Sequence, residues 1–442
     1  MTQPATTTAA PPRVIDARAS RRSLVGGCVG NLIEWYEFGV YGYFATIIAA
    51  NFFAAEGASD LEALAKAYAS FAIAFFFRPV GAFLFGRLGD RFGRRPVLVL
   101  VLLVMALGTA LIGLLPTRET IGAAAPWLLT LVRIIQGLSA GGEFGGAVSL
   151  MTEHAPPGKR GRYGSWQSFT VALGLLGGAG TAALLATLMS EDSLMAWGWR
   201  IPFLLALPLG LAALWVRLKV EETPVFREVA SATAAPPQDT RRAETSTPKA
   251  VVLGIARLMG WAAAGYTFLV VMPSYLQVAL GASFKESLVA GVVANTGFAA
   301  SILPAGALSD RVGRRPVMLA GAVSIAVLAL PMLNLLQAED TSDALRFALV
   351  FLAGAIVGLM AGPGPAMLSE MFHTRVRYTG LGVSYALANA VFAGSAGLII
   401  TELIKRSGNK DIPAYYVIAT CVVSALALAT LRRDDHERPL PR

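Results

Sequence analysis

Apolar stretches of about twenty residues recur along this chain from Leu24 to Leu431, and they leave few folds open to it. They lie near residues 24–52, 64–86, 97–115, 126–150, 164–189, 199–218, 250–276, 287–308, 316–337, 344–368, 380–404 and 413–431. About 20 mostly apolar residues are what a helix needs to cross roughly 30 Å of hydrocarbon. Lipid offers no partner to a backbone N–H or C=O, so each such stretch is expected to be helical. Only 15% of the 442 residues are charged and 55% are hydrophobic, against about a quarter charged in an average soluble domain. With a mean hydropathy of +0.59, the polar residues are too few to clothe a water-exposed globule of this size. The expected fold is an all-α membrane protein with 12 transmembrane helices.

The formal net charge of +9 could be read as a nucleic-acid surface, so the placement of the cations matters. Of the 37 Lys and Arg, 26 fall in or at the edges of the tails and alternate loops on one side, and eight on the other. Arg78, Arg133 and Arg257 lie inside apolar stretches. Such a bias is the positive-inside pattern, and it places both termini in the cytoplasm. Basicity here reports topology, and no nucleic-acid partner is expected. Residues 1–22 read as a cytoplasmic tail. They do not read as a cleaved signal, because the apolar run that follows is too long and carries Glu34 and Glu37. Cys28 and Cys421 fall inside spans, and His154, His373 and His436 in loops or the tail, so no metal site or disulfide framework is expected.

The chain also repeats itself. Residues 86–97, GRLGDRFGRRPV, and residues 306–317, GALSDRVGRRPV, agree at nine of twelve positions, each after the second span of its half. A weaker echo links Glu153 to Gly164 (EHAPPGKRGRYG) with Glu370 to Gly380 (EMFHTRVRYTG). The expected organisation is a tail at 1–22, a six-helix bundle at 23–218, a polar cytoplasmic linker at 219–249, a second six-helix bundle at 250–431 and a tail at 432–442. Two parallel bundles joined by a linker describe a carrier that binds near the midplane and rocks between access states.

These residues carry a family resemblance. The twice-occurring G-x-L-x-D-R-x-G-R-R pattern resembles the loop signature of the major facilitator superfamily. Further stretches are similar to its metabolite:proton symporter family, most of all the proline/glycine-betaine permease branch. They are GNLIEWYEFGVYG (30–42), FRPVGAFLFGRLGDRFGRRP (77–96), RIIQGLSAGGEFGG (133–146), WGWRIPF (197–203), EETPVF (221–226), MPSYL (272–276) and DIPAYY (411–416). The resemblance covers nearly the whole chain and implies a multi-pass inner-membrane transporter. Three departures stand out: Glu37 replaces the usual Asp, Arg257 replaces a neutral residue, and the sequence ends at Arg442 without the coiled-coil tail of some osmosensing members.

Charge inside a membrane costs at least about 2.5–3.5 kcal/mol, so such residues are functional candidates. Glu34 and Glu37 lie three residues apart on one helix face. Partly dehydrated, they repel each other and hold a proton on one, as proton coupling requires. Arg78 sits about 12 Å from the loop end of its span and needs a carboxylate, from span 1 or from a substrate. Arg133 and Gln136, at i and i+3 in span 4, join the substrate-binding candidates, and Glu143 further along joins the proton-coupling ones. The run GLSAGGEFGG around them reads as close helix packing. Arg257 either snorkels to the headgroups or faces the cavity. Trp35 and Tyr41 head the aromatic residues of span 1, whose rings can hold a quaternary ammonium. Asp90, Arg91, Arg94 and Arg95, with Asp310, Arg311, Arg314 and Arg315, are the expected gating loops, where an Asp at a helix terminus forms a breakable latch. Gly86, Gly93, Gly306 and Gly313 are expected to permit tight turns.

Neither a catalytic constellation nor a nucleotide-binding glycine loop appears, so no enzyme activity and no cofactor is expected, and the energy source is the proton gradient. The leading expectation is a proton-coupled symporter that imports a small polar metabolite, a zwitterionic osmolyte such as proline or glycine betaine, and works as a monomer in the lipid bilayer. The alternative is a di- or tricarboxylate (2-oxoglutarate, citrate) proton symporter, which surplus buried Arg would favour. A transport-inactive membrane sensor is a remote third.

Overall fold

A computed structural model of the protein describes residues 17–57, 59–92, 94–153, 155–218, 247–432, 437 and 440. Among the expected features, the tail at 1–16, residues 219–246 of the linker and the side chains of Asp90, Arg91, Arg94, Arg95 and Glu143 lie outside the described residues. The described residues form helices and no strand.

The first half contains α1 (Ala17–Tyr43), α2 (Asp60–Phe92), α3 (Arg94–Leu114), α4 (Ala124–Ser139), α5 (Glu143–Glu153), α6 (Arg160–Leu188) and α7 (Arg200–Leu218). The second contains α8 (Thr247–Tyr266), α9 (Met272–Leu280), α10 (Phe284–Val312), α11 (Arg314–Gln337), α12 (Asp343–Ala361), α13 (Gly364–Met371), α14 (Thr374–Ala388), α15 (Ala396–Ser407) and α16 (Ile412–Ala429). Among the described residues, eight helices are long and apolar enough to cross a membrane, and a ninth joins them if Glu191–Gly198 and Arg200–Trp215, bent by 50°, count as one span. The remaining expected stretches fall short for physical reasons. Asn31, Glu34 and Glu37 dilute the hydropathy of α1. A 3-10 turn at Ala140–Gly142 divides α4 from α5. Among the described residues α3 contributes a shorter apolar helix, Val99–Leu114.

Neighbour relations repeat between the halves. In the first, α1 packs on α6, α2 on α4 and α3 on α7; in the second, α8 packs on α14, α10 on α12 and α11 on α16. Glycine sets the distance in the tightest of these pairs. A Cβ on Gly137 of α4 would run into the Ala74 carbonyl of α2, and one on Gly354 of α12 into the Ala294 carbonyl of α10. The small-residue run at 137–146 therefore serves packing, as its composition implies.

The halves meet along α6 and α10, and along α2 with α14 and α15. At the end carrying the repeated loop motif, Asp310 accepts the backbone N–H groups of Gly161 (2.7 Å) and Arg162 (2.8 Å) in the first turn of α6. It also pairs with Arg314 at 2.7 Å. This is a carboxylate on the positive end of a helix dipole, reached from the other half. Arg314 continues to Glu370 (3.1 Å), which also meets Arg160 (3.4 Å), and Arg377 pairs with Glu153 at 2.6 Å. The weak sequence echo now has a structural meaning: Glu153 and Arg160 are paired with Arg377 and Glu370, each half supplying a Glu and an Arg seven residues later. Arg311 is exposed, and Arg315 donates to the Leu431 carbonyl at 3.4 Å. Gly306 corrects an expectation. It lies within α10, not in a turn, and its missing side chain admits Ser165 and Gly161 of α6; Gly313, with φ of 94°, does sit at the turn.

Asp310→Ala removes the acceptor shared by the α6 amides and Arg314. Loss of about 1–3 kcal/mol of latch energy should raise the population open at this end by roughly five- to 150-fold. Spin labels at the exposed positions of Lys159 and Arg311 should then report longer distances. An unchanged distribution would mean the latch holds nothing shut.

Candidate functional site

A second, buried set of charges lies in the first half, where α1, α2, α3 and α4 converge. Glu34, Glu37, Arg78, Arg133 and Gln136 are all withdrawn from solvent. Arg78 Nη2 pairs with Glu34 Oε1 at 3.1 Å, so span 1 does supply the carboxylate that Arg78 needs. The guanidinium carbon of Arg78 also lies 4.3 Å from the ring centres of Phe38 and Phe75 and 5.7 Å from Trp35. Arg133 shares Phe38 from 4.9 Å and lies 4.4 Å from Tyr41 and 4.9 Å from Phe71. Two cations are thus held on one cluster of rings, whose negative faces replace part of the lost hydration.

Glu37 takes a different route from Glu34, although both stand on one helix face. Its Oε2 accepts the Thr109 hydroxyl at 2.8 Å. Gln136 Nε2 donates to Thr109 Oγ at 2.6 Å, and Arg133 Nη1 donates to Gln136 Oε1 at 2.9 Å. Each carboxylate thus has its own partner on another helix, Arg78 for Glu34 and Thr109 for Glu37. Among the described residues no hydrogen-bond partner reaches Glu37 Oε1, Arg133 Nε or Arg133 Nη2.

Beside this charge cluster, between the halves, lies a small, largely apolar cavity. Trp35 enters it from α1, Trp261 and Tyr266 from α8, Tyr385 from α14, and Asn389 from the π-helical turn Asn389–Gly394. Trp35 and Tyr266 stand 6.1 Å apart, Trp261 and Tyr385 6.2 Å. Of the expected binding residues, only Trp35 lines the cavity. Arg78 lies against Trp35, Arg133 against Phe38 and Phe71, Tyr41 against Phe71, and Gln136 against Arg133 and Thr109. Tyr41 is fully buried and donates its hydroxyl to the Ala67 carbonyl at 3.1 Å. Arg257 is the clearest correction. Its Nε donates to the Ala427 carbonyl (3.2 Å) and its Nη2 to Thr430 (2.9 Å), so it finishes the C-terminal end of α16 and turns away from the cavity occupied by its neighbour Leu258.

Sequence reasoning missed Thr109, Trp261, Tyr266, Tyr385 and Asn389. Nothing marks a Thr or a Tyr in an apolar run as anything but packing. The one available signal was the pseudo-repeat, which predicts that a cavity walled by span 1 is walled by span 7 too.

Both ends of the cavity are closed. Toward the loop motif, Tyr385 stacks on Phe144 of α5 with ring centres 3.5 Å apart and planes within 4°. Toward the opposite end, Asn295 and the Leu269 carbonyl bind the Tyr43 hydroxyl at 2.9 and 3.0 Å, Tyr68 meets Ser274 at 2.7 Å, and Thr46 meets Gln277 at 2.9 Å. All of these contacts join one half to the other.

Comparison with known proteins agrees with this architecture. Residues 25–236 match the family described as Sugar (and other) transporter, and residues 255–442 match the Major Facilitator Superfamily. The chain is 35% identical over 439 residues to the glycine betaine/proline/ectoine/pipecolic acid transporter OusA of Dickeya dadantii, covering 97% of this chain and 86% of that one. It is 34% identical to the proline/betaine transporter of Escherichia coli with the same coverage, and 36% identical to the inner membrane metabolite transport protein YhjE of that organism, covering 94% of each. Among solved structures, the D-xylose-proton symporter superposes with a TM-score of 0.74 at 20% identity over 95% of this chain and 99% of its own. The partially occluded inward-open xylose transporter XylE of E. coli gives 0.72 over 93% and 97%. The chain belongs to the major facilitator superfamily, in the branch that holds the proline/betaine transporters.

Proposed function

We propose that this chain is a proton-coupled symporter of the inner membrane that imports a small zwitterionic osmolyte, such as proline or glycine betaine, by alternating access. The observation that carries the reading is the cavity walled by Trp35, Trp261, Tyr266 and Tyr385, with Arg78 against the Trp35 ring. Electron-rich ring faces attract an ammonium group that has no proton to donate, by about 0.5–2 kcal/mol per contact. A carboxylate arriving beside Trp35 competes with Glu34 for Arg78 in fork geometry. Such a box and cation, side by side, suit a solute with both charges. The names carried by the relatives, betaine and proline transporters, point the same way.

Glu37 is the proton-carrying group in this reading, and no cofactor takes part. Glu34 and Arg78 form the pair that substrate binding rearranges. The chain crosses the membrane twelve times as two six-helix bundles, 23–218 and 250–431, joined by the linker 219–249. Both termini are cytoplasmic, so the Asp310 latch lies on the cytoplasmic side, and Asp90, Arg91, Arg94 and Arg95 are its counterpart in the first half. The protein works as a monomer without a nucleic-acid partner. The dicarboxylate alternative, which surplus buried Arg would favour, loses Arg257, whose guanidinium faces α16.

Uptake of labelled glycine betaine or proline into vesicles should collapse when pH gradient and membrane potential are dissipated together. Persistence on a sodium gradient alone would refute proton coupling. Glu37→Gln should abolish uphill accumulation while substrate exchange persists, and a variant that still concentrates substrate normally removes Glu37 from the proton path. Tyr385→Leu and Trp261→Leu should each weaken glycine betaine binding roughly tenfold, measured as the half-saturating concentration. Equal affinity in both variants would take the rings out of the site.

A further inference from the structure

We propose that Thr109 and Gln136 are positioning residues that join Glu37 to Arg133, so that gain or loss of a proton at Glu37 is read at Arg133 through two intervening side chains. The inference rests on the proton-coupled reading above and adds to it a residue, Thr109, whose sequence context gives no hint of a role.

Hydrogen-bond direction fixes how these side chains face one another. A guanidinium can only donate, so the atom facing Arg133 Nη1 is the carbonyl oxygen of Gln136 and the amide nitrogen must point the other way. That nitrogen donates to Thr109 Oγ at 2.6 Å. The hydroxyl hydrogen of Thr109 then has two acceptors within reach, Glu37 Oε2 at 2.8 Å and the Met105 carbonyl at 3.0 Å. An ionised Glu37 accepts only, and draws the hydrogen to itself. A Glu37 protonated on Oε2 donates to Thr109 Oγ instead, and the Thr109 hydrogen turns to Met105. In both arrangements the Thr109 oxygen accepts from Gln136 and its hydrogen is bound. The hydroxyl is a two-position rotor set by the charge of Glu37, and a hydrogen-bond chain of this kind is polarised along its length.

The plain alternative is that Thr109 merely bonds back to the carbonyl four residues earlier, as threonines inside helices do. That leaves the approach of Gln136 unexplained. Gly108 makes room for it, since a Cβ there would stand 3.0 Å from Gln136 Cγ. It also leaves Arg133 without an account. Among the described residues Gln136 is the hydrogen-bond partner of Arg133, and Nε and Nη2 have none. The position of a fully buried cation therefore depends on an amide whose other end reports on Glu37. The charged groups nearest Glu37 are Glu34 on its own helix, Arg133 of α4, and Arg78 of α2 through its pair with Glu34; Tyr36 and Tyr41 are the titratable neighbours on α1.

The test uses purified full-length protein in proteoliposomes, comparing wild type, Thr109→Val, Thr109→Ser and Gln136→Leu. Uphill accumulation of glycine betaine, its pH profile and energy-independent counterflow are measured in parallel. Thr109→Val should lose about tenfold or more in accumulation, the scale expected on losing a hydrogen bond to a charged group. Its pH midpoint should move by about one unit or more, with counterflow close to wild type; Thr109→Ser should restore both. Gln136→Leu breaks the same chain elsewhere and should match Thr109→Val, which keeps the test valid if either variant folds poorly. Wild-type accumulation and pH profile in both hydroxyl- and amide-deleted variants would overturn the inference, as would equal loss of counterflow and accumulation in well-folded protein. If wild-type uptake itself ignores a protonophore, the proton-coupled reading fails first and is recognisable as such.

Discussion

Two guanidinium groups held on either side of the ring cluster around Phe38 set the terms for the whole first half. Neither Arg78 nor Arg133 can reach water, and the hydrocarbon outside offers nothing to either. Their charge must be answered by the bundle itself, and it is answered in two ways. Arg78 receives a carboxylate directly; Arg133 receives ring faces and a single amide oxygen. Removing one partner from such an arrangement leaves a buried charge uncompensated, which in soluble proteins costs about 3–5 kcal/mol. The aromatic content of α1 and α2 is therefore as much an electrostatic device as a packing one.

The same scarcity of partners explains the arginines elsewhere. A helix leaves four carbonyls unsatisfied at its C-terminal end, and here arginine side chains from other helices fill that need. Arg200 donates to the Gly113 and Leu115 carbonyls at 2.8 and 2.7 Å, Arg377 to those of Ser369 and Phe372, and Arg257 to that of Ala427. Each long side chain fixes the end of one helix against the flank of another, and the crossing points of the bundle are pinned accordingly.

Much of this was legible in the residues, and the limits are instructive. The apolar stretches and the repeated GRRPV loop gave helices and pseudo-symmetry because period and length survive any packing. Glu34 with Arg78 was legible because a membrane permits few alternatives for a buried pair. Arg257 was not: depth along a helix does not reveal azimuth, and its azimuth points to α16. Glu37 shares a face with Glu34 by spacing, yet a rotamer sends it to Thr109. The cavity rings of the second half escaped because Trp261 and Tyr385 look in sequence like Trp127 or Tyr415, which face outward. The turns that place the cavity wall, π-helical at Thr267–Val271 and Asn389–Gly394, have no sequence signature either. By offering the Leu269 carbonyl to Tyr43 and Asn295, the first of them turns a local irregularity into an interhalf contact.

The crossed pairing of Glu153 with Arg377 and Arg160 with Glu370 carries an implication about origins. A protein of half this length, holding one such Glu and one such Arg, would form both bridges at once on meeting a copy of itself across a two-fold axis. Fusing two copies in tandem would then inherit a working clasp ready-made, with no new contact to invent. Duplication would preserve the lock, and only afterwards could the two sides drift apart, one toward charge and the other toward rings.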